Sequence, residues 1–237
     1  MRRMMTMSAL LLAAMISGCA NPADDVPQAT VGAPVPEPTS AASAATGEPK
    51  ATVGAPVSEP TSAASAATGN SLVLSPEASK IDFVGSKVTG SHNGGFKAFT
   101  GTVDLTEDGK GVRAMAADID MASTWSDNEK LTGHLKAPDF FDVAKFPKTT
   151  FVSTEITPGG EKGATHTVTG NFTLHGVTKS IKFPAKVAVS DGSAKVDSEF
   201  FINRKDFGIV YPGKTDDLIR DEVVIKLALD ASKPPGQ

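Results

Sequence analysis

The 237-residue sequence predicts an all-β domain, an eight-stranded antiparallel barrel with one short helix, preceded by a disordered tether. Three observations favour this fold class. Apolar residues alternate with polar ones along successive stretches of residues 71–237, as in strands with one buried face. These stretches are long, at about ten residues each, and carry small residues on the apolar face. All twelve phenylalanines, Trp125 and Tyr211 lie after residue 71, so a single domain holds the aromatic core.

Residues 1–18 have the features of a secretory signal peptide. Two arginines precede an apolar run that is too short to span a bilayer and that ends in the sequence ISGC. This ending resembles the bacterial lipobox, which implies cleavage before Cys19 and acylation of both its sulfur and its new amino terminus. By the same resemblance, Ala20 favours the outer membrane. We therefore expect a lipid-anchored envelope protein that faces the periplasm, the alternative being an ordinary signal peptide with a chance cysteine.

Residues 19–70 have the composition of a tether. After Cys19 they contain eight prolines and no Phe, Tyr, Trp, Leu, Ile or Met, so they cannot bury enough apolar surface to offset their conformational entropy. The stretch ATVGAPVPEPTSAASAATG at 29–47 recurs at 51–69 with one substitution, Pro36 to Ser58. A repeat without core residues indicates a duplicated coil with a reach on the order of 40 Å.

The charges and the cysteine content exclude several classes of function. Most of the formal net charge of -4 comes from the tether, and residues 71–237 contain 20 basic and 22 acidic residues with no basic stripe. Nucleic-acid binding is therefore not expected. Cys19 is the only cysteine, which rules out an intramolecular disulfide and, once it is acylated, a catalytic thiol.

Eight stretches of the domain alternate with period two. The predicted strands lie near 79–89, 99–105, 112–121, 149–157, 167–174, 181–189, 194–203 and 222–229. The dipeptide His175-Gly176 directly follows the fifth run and suits a two-residue hairpin to the next strand, because glycine readily takes positive φ. Closing eight such strands into a barrel removes exposed edges and leaves room for one small ligand. A two-sheet sandwich is the alternative.

One helix and one corner interrupt the strands. Ser126 and Glu129 form a predicted capping box for a helix over 127–136. The stretch HLKAPDFFDVAKFPKTTF at 134–151 follows, in which two prolines exclude a regular element and Phe140 and Phe141 stand side by side. These two phenylalanines either wall a ligand space or plug the end of the barrel.

Four stretches resemble the YceI-like family of lipid- or polyisoprenoid-binding proteins. They are GSKVTGSHNGGFKAFTG (85–101), LTGHLKAPDFFDVAKFPKTTFVST (131–154), VTGNFTLHGVTKSIKFPA (168–185) and FFINRKDFGI (200–209). The resemblance implies a lipocalin-like barrel whose apolar tunnel takes an isoprenoid or a similar long-chain lipid, with no cofactor and no reaction. The signal and the tether lie outside it.

The alternating strands and this resemblance together suggest the site. The expected ligand-binding residues are Phe99, Phe140, Phe141, Phe151, Phe172, Phe183, Gly101, Gly170 and Arg204. A side chain at Gly101 or Gly170 would intrude on a bound chain if both face inward. Arg204 lies in a charged cluster, Asn203-Arg204-Lys205-Asp206, which we expect at the solvent-exposed rim, either as a surface ion pair or as the place of a ligand's polar head.

An enzyme is the less favoured interpretation. The four histidines have no HxH or HExxH spacing, and there is no G-x-S-x-G elbow or phosphate-binding glycine loop. His92 and His134 with Asp139 or Asp142 would form a metal site only if the fold brought them together. An inert structural or partner-binding lipoprotein stays open, because alternation does not reveal whether the interior is empty.

Overall fold

The computed structural model describes residues 21–36, 70–215 and 217–234. The strands are β1 (Thr30–Gly32), β2 (Ser71–Leu74), β3 (Lys80–Lys87), β4 (Gly90–Phe96), β5 (Phe99–Leu105), β6 (Val112–Asp120), β7 (Thr124–Ser126), β8 (Lys148–Pro158), β9 (His166–Leu174), β10 (Val177–Ser190), β11 (Ser193–Asn203), β12 (Gly213–Lys214) and β13 (Asp217–Ser232). The helix α1 spans Glu129–Leu135, and 3-10 turns occupy Met121–Ser123 and Arg204–Phe207. The predicted signal peptide and Cys19 lie outside the described residues.

Eight strand positions close into a barrel. Antiparallel pairing runs through β2, β5, β6, β8, β9, β10, β11 and β13, and β13 pairs back with β2. β3 pairs with β13 next to β2, β4 pairs with the other edge of β3, and β7 pairs with β4. The predicted barrel is therefore confirmed. The sandwich alternative is wrong, since β11 pairs with both β10 and β13 and so joins the strands into one closed sheet.

The hairpin between β9 and β10 has the predicted two-residue turn. Leu174 pairs with Val177, and both residues between them have positive φ, 52° for His175 and 73° for Gly176. This backbone twist matches that of the flanking strands. A Cβ on Gly176 would also lie 2.4 Å from the Phe146 ring, so the turn packs tightly on the corner.

β4 has no counterpart among the predicted strands. Its sequence, GSHNGGF, carries one large apolar side chain, Phe96, and so shows no alternation. Two of its glycines let neighbouring aromatic rings approach the backbone. A Cβ on Gly94 would lie 2.4 Å from the Phe83 ring, and one on Gly95 would lie 2.9 Å from the Trp125 indole nitrogen.

The helix begins later than predicted. Asn128, and not Ser126, is its N-cap, because its side-chain oxygen accepts from the Leu131 backbone N–H at 3.1 Å. The Ser126 hydroxyl donates to the Asn128 carbonyl oxygen instead. The predicted capping box is therefore wrong. With seven residues α1 is short, and no helix in the part of the chain that the structure describes has the length and apolar character to cross a bilayer.

Asp127 ties the start of this helix to the barrel. One of its carboxylate oxygens accepts from the backbone N–H of Asn93 at 2.8 Å, and the other lies 2.8 Å from His92 Nδ1. The hydrogen bond from the Asn93 N–H, with His92 beside it, holds the pKa of the Asp127 carboxyl below its usual value. This connection fixes α1 and the corner over one end of the barrel.

Residues 21–36 are ordered against the barrel. β1 pairs with β10, and Ala29 is 1% exposed. Ala23 packs with Val84 and Val224 on the outer surface of β3 and β13. The predicted disordered tether over 19–70 is therefore wrong for 21–36, because order there comes from backbone pairing and small buried side chains, which composition does not reveal. Residues 37–69 lie outside the described part of the chain.

Candidate functional site

The barrel encloses an elongated cavity of about 180 Å³. On β13 its wall is formed by Val223, Ile225, Leu227 and Leu229, which occupy alternate positions of the strand. From the first to the last of these residues the strand rises about 20 Å. The cavity therefore follows the inside of the barrel over much of its length.

The wall residues of β13 border a space and are not part of a filled core. All four are only partly buried, although they point inward and pack beside the core. Val224, between them in the chain, points outward and is 1% exposed because Ala23 and Val26 cover it. Side chains in a filled interior keep almost no accessible surface, so the residual exposure of the inward-facing row reflects the cavity itself.

Five predicted phenylalanines line the cavity: Phe140, Phe141, Phe151, Phe172 and Phe183. Phe151 and Phe183 contact one another with ring centroids 5.8 Å apart, and Phe172 lies edge-on to the fully buried Phe207 at 5.3 Å. Phe99 is 6% exposed and packs in the core without reaching the cavity. Alternation identified the inward face of its strand but did not distinguish core from cavity wall.

Phe140 and Phe141 close the end of the cavity next to α1. Phe140 packs against Tyr211 and His134, and Phe141 lies edge-on to Phe83 with centroids 6.2 Å apart. Backbone hydrogen bonds from Phe140 to Ala137 and from Phe141 to Leu135, both 3.0 Å, hold the corner in place. The same two rings therefore plug the barrel and form the end wall of the cavity.

The two predicted glycines do not border the cavity. A Cβ on Gly170 would lie 2.5 Å from the Phe151 ring and 2.6 Å from the Val152 carbonyl oxygen. A Cβ on Gly101 would meet the Ala116 carbonyl oxygen at 2.5 Å and the Leu74 side chain at 2.6 Å. The expectation that a side chain at either glycine would intrude directly on a ligand is therefore wrong. Gly170 instead makes room for Phe151, which is itself a wall residue.

One buried polar atom beside the cavity has no partner. Thr149, at the start of β8, is 2% exposed, and its hydroxyl oxygen is the one buried side-chain N or O atom without a hydrogen bond among the described residues. An unpaired buried hydroxyl costs about 1–3 kcal/mol. Sequence reasoning missed Thr149, although it lies two positions before Phe151 and therefore on the same face of the predicted strand.

Arg204 is buried at the same end of the barrel and contacts the cavity. It is 4% exposed, donating from Nη1 to the Ile209 carbonyl oxygen at 2.8 Å and from Nε to the Arg220 carbonyl oxygen at 3.1 Å. Its Nη2 pairs with the Asp221 carboxylate at 3.0 Å. The predicted place at an exposed rim is wrong. Arg204 clamps the loop between β11 and β13, and its charge is already paired.

Asp82 on β3 lies between the buried Ile81 and Phe83 and points to the outer face of the barrel wall, where it pairs with Lys226 across the sheet. Burial raises the pKa of the Asp82 carboxyl above its usual value, while the charges of Lys80 and Lys226 act in the opposite direction. The cavity surface is almost wholly apolar and the guanidinium of Arg204 is already paired, so the cavity is a poor host for a carboxylate.

The histidines form separate pairs. His92 lies against Asp127, whereas His134 Nε2 lies 2.6 Å from Asp139. Within residues 21–36, 70–215 and 217–234 there is no group of three or more His, Cys, Asp or Glu residues placed to hold a metal ion. The metal alternative therefore has no supporting geometry in this part of the chain, and the absence of a bound metal stays a prediction.

The closed sheet and its internal apolar cavity define the class of this protein: an eight-stranded barrel with an elongated internal cavity, as in lipocalin-like folds. The family model described as YceI-like domain matches residues 72–231. The chain belongs to the YceI-like family.

Individual relatives agree with this assignment. A UPF0312 protein of Pseudomonas putida (strain W619) is 34% identical over 140 residues, which are 56% of this chain and 72% of that protein. The crystal structure of Burkholderia cenocepacia BcnA is 27% identical, with a TM-score of 0.60, and the match covers 67% of this chain and 99% of BcnA. A polyisoprenoid binding domain from Saccharophagus degradans, 18% identical, shares the fold with a TM-score of 0.54 over 69% of this chain and 98% of that domain.

Proposed function

We propose that the barrel binds a long, largely apolar amphiphile, an isoprenoid quinone or a polyprenyl lipid, and holds it without chemical reaction. The observation that carries this proposal is the elongated cavity, whose inward-facing walls on β13 keep accessible surface. Transfer of a chain from water into such a space contributes about 0.8 kcal/mol per methylene. A cavity that follows the strands suits one extended chain better than a compact ligand.

The polar groups of the cavity favour a small uncharged head. A quinone carbonyl or a polyprenol hydroxyl would give the Thr149 hydroxyl the hydrogen bond that it lacks. A carboxylate gains little, because Arg204 is engaged by Asp221 and the surface of the cavity is almost wholly apolar. The description of the Saccharophagus degradans domain as polyisoprenoid binding supports this class of ligand.

The proposed place of action is the cell envelope. The lipobox-like ISGC sequence supports acylation of Cys19, and Ala20 supports sorting to the outer membrane with the barrel in the periplasm. A lipoprotein of this kind would take up an envelope lipid whose chain is insoluble in the aqueous periplasm and shield it from water.

Filling the cavity should abolish lipid capture. Val223→Phe places a larger side chain in the open space, so we expect at least a tenfold loss in capture of a quinone or a polyprenol of similar length. The melting temperature should change by only a few degrees because the added ring meets a void. Capture is measured by mass spectrometry of solvent extracts after incubation and repurification, with a fatty acid of equal length as a third probe.

Val73→Phe is the matched control, because Val73 is 43% exposed on β2 and is absent from the cavity wall. It should capture lipid like the wild type. Equal capture by Val223→Phe and wild type would contradict binding in this cavity. If the wild type captured none of the three probes, a structural or partner-binding lipoprotein would be the better interpretation.

Thr149→Val tests the polar contact. Valine has nearly the shape of threonine and removes the unpaired hydroxyl, so the empty barrel should become more stable by about 1 kcal/mol or more. Capture of the quinone should fall about fivefold or more relative to capture of a plain hydrocarbon chain of equal length, since only the quinone has an oxygen to pair. Thr150→Val on the same strand is the control. An unchanged ratio between the two probes would place the ligand head elsewhere.

A further inference from the structure

The barrel wall is split between β10 and β11. Residues Lys186–Ser190 of β10 pair with Ser193–Asp197 of β11. Before Lys186 on β10 and after Asp197 on β11, the two strands are no longer paired with each other. β1 lies in the gap, antiparallel to β10, with Thr30 opposite Lys182 and Gly32 opposite Ser180. We call the gap, bounded by residues 180–182 of β10 and Phe201 of β11, the β10–β11 slot.

The segment in the slot pairs with both of its edges. Beyond the β10 ladder, the Ala29 N–H donates to the Phe201 carbonyl oxygen at 2.9 Å, and the Phe201 N–H donates to the Pro27 carbonyl oxygen at 3.0 Å. Residues 27–32 therefore act as an inserted strand that satisfies backbone groups of two diverging strands. Ala29 points into the core and is 1% exposed, so the slot requires a small side chain at this position.

Asn171 on β9 binds the chain at Val35, beyond the end of β1. Its side-chain oxygen accepts from the Val35 N–H at 2.9 Å, and its side-chain nitrogen donates to the Val35 carbonyl oxygen at 2.7 Å. Asn171 is 8% exposed, so this amide is held in place. All of these described bonds use backbone atoms of residues 27–35, and they can be made by any segment with the same pattern of small residues and prolines.

The chain contains that pattern twice. Residues 27–35 read PQATVGAPV, and residues 49–57, which lie outside the described part of the chain, read PKATVGAPV. The one difference is at Gln28, whose side chain is exposed and is replaced by Lys50 in the second copy. The second copy thus keeps each backbone group that the slot contacts, and it keeps the alanine that the core requires.

We propose that the β10–β11 slot is a strand-binding site that accepts either copy of this nine-residue motif from its own chain. The protein would then exist in two registers that differ by 22 residues. In one register residues 27–35 fill the slot, and in the other residues 49–57 replace them. The backbone pairing in the slot would be the same in both because the bound sequence is nearly identical, whereas the contacts of residues 21–26 with Val84 and Val224 would belong to the first register.

The remaining chain is long enough for the second register. Asn171 and Val73 lie at the same level of the sheet. The residues paired in register between them are Val152, Ala116 and Thr102. Four strand spacings separate the two residues, about 19 Å along the wall. Residues 58–70, which would connect the second copy to β2, reach up to about 43 Å when extended.

The exchange would change how far the barrel stands from the membrane. This consequence, unlike the exchange itself, rests on the proposed acylation of Cys19. With the first copy bound, seven residues lie between Cys19 and Pro27, and the eight Cα–Cα steps reach at most about 29 Å. With the second copy bound, 29 residues lie between Cys19 and Pro49, and the thirty steps reach at most about 108 Å. The duplication would provide a short and a long linker between the membrane anchor and the barrel. Two linker lengths would suit a barrel that loads lipid at one surface and releases it at a distance.

Disulfide trapping in the full mature chain with Cys19→Ser tests the exchange independently of acylation and of any ligand. Thr30→Cys with Lys182→Cys reports the first register, because these residues are paired and both are exposed. Thr52→Cys with Lys182→Cys reports the second. Thr61→Cys with Lys182→Cys is the control, since Thr61 lies close in sequence but outside the motif. Mild oxidation followed by peptide mass spectrometry measures each bond.

We expect intramolecular bonds for the first two pairs, with the 52–182 bond at least fivefold more abundant than the 61–182 bond. Ala29→Glu, which puts a carboxylate at a buried position, should expel the first copy and raise the 52–182 bond further. Adding Ala51→Glu, the same change in the second copy, should then remove the 52–182 bond. A 52–182 bond no more abundant than the control in the otherwise unaltered chain would overturn the proposal whether or not Ala29→Glu folds. A 52–182 bond found only between two chains would overturn it in favour of exchange between copies of the protein.

Discussion

Replacement of Arg204 by methionine should lower the free energy of unfolding by about 3–5 kcal/mol, because it leaves buried polar partners without their donor. The guanidinium contacts the carbonyl oxygens of Ile209 and Arg220 and the carboxylate of Asp221. Methionine fills a similar volume but donates nothing, so the loop between β11 and β13 loses its clamp. Equilibrium unfolding in urea or guanidinium chloride measures the change.

Lys205→Met is the matched control for this substitution. Lys205 is the next residue of the same 3-10 turn and binds the same Asp221 carboxylate at 2.8 Å, but its side chain is 50% exposed. An exposed ion pair contributes about 1 kcal/mol or less. Equal losses for Arg204→Met and Lys205→Met would mean that burial of the guanidinium is not what stabilises this end of the barrel.

In the mature chain, which begins at residue 19, Cys19→Ser should move the protein entirely from the membrane fraction to the soluble fraction. Without the thiol no diacylglycerol can be attached, and a single chain on the amino terminus would give only marginal, reversible binding. The barrel should melt as in the wild type, since residues 21–36 and 70–234 keep the contacts described above. Cell fractionation and detergent partition measure where the protein lies, intact mass measures its acylation, and thermal unfolding measures the melting temperature.

Ala20→Asp provides the control for sorting. By resemblance to other lipoproteins it should stay acylated and membrane-bound but move from the outer to the inner membrane. Wild-type protein recovered in the aqueous phase of a detergent partition, with no lipid mass on Cys19, would show that the ISGC sequence is an ordinary signal-peptide ending. The barrel and its cavity would be unaffected by that outcome.

Much of the barrel was predictable because strands with one buried face alternate with period two. The eight stretches with this pattern all became strands, and His175-Gly176 formed the turn that its positive φ angles allow. β4 was not predicted because its sequence, GSHNGGF, does not alternate between apolar and polar residues. Its glycines instead leave room for the rings of neighbouring aromatic residues. The helix cap was misplaced because Ser126 and Asn128 are both good caps, and the side chain of Ser126 found another partner.

The candidate site was predictable only in part. Alternation identified Phe151, Phe172 and Phe183 as inward residues, and the corner identified Phe140 and Phe141. Whether an inward side chain meets another side chain or open space depends on residues from distant strands, so Phe99 and Phe172 look alike in sequence. The same dependence hid the unpaired Thr149 hydroxyl and the burial of Arg204.

The sequence by itself determined which residues face inward, in what order the strands follow, and that one nine-residue motif occurs twice, because these properties are local or can be read by counting. The tertiary structure decided where the barrel wall splits, which residues enclose an empty space, and that residues 27–35 occupy the split. A segment without large apolar side chains becomes ordered there because two open strand edges pair with its backbone. Those edges exist only after strands far apart in the chain have closed around the cavity.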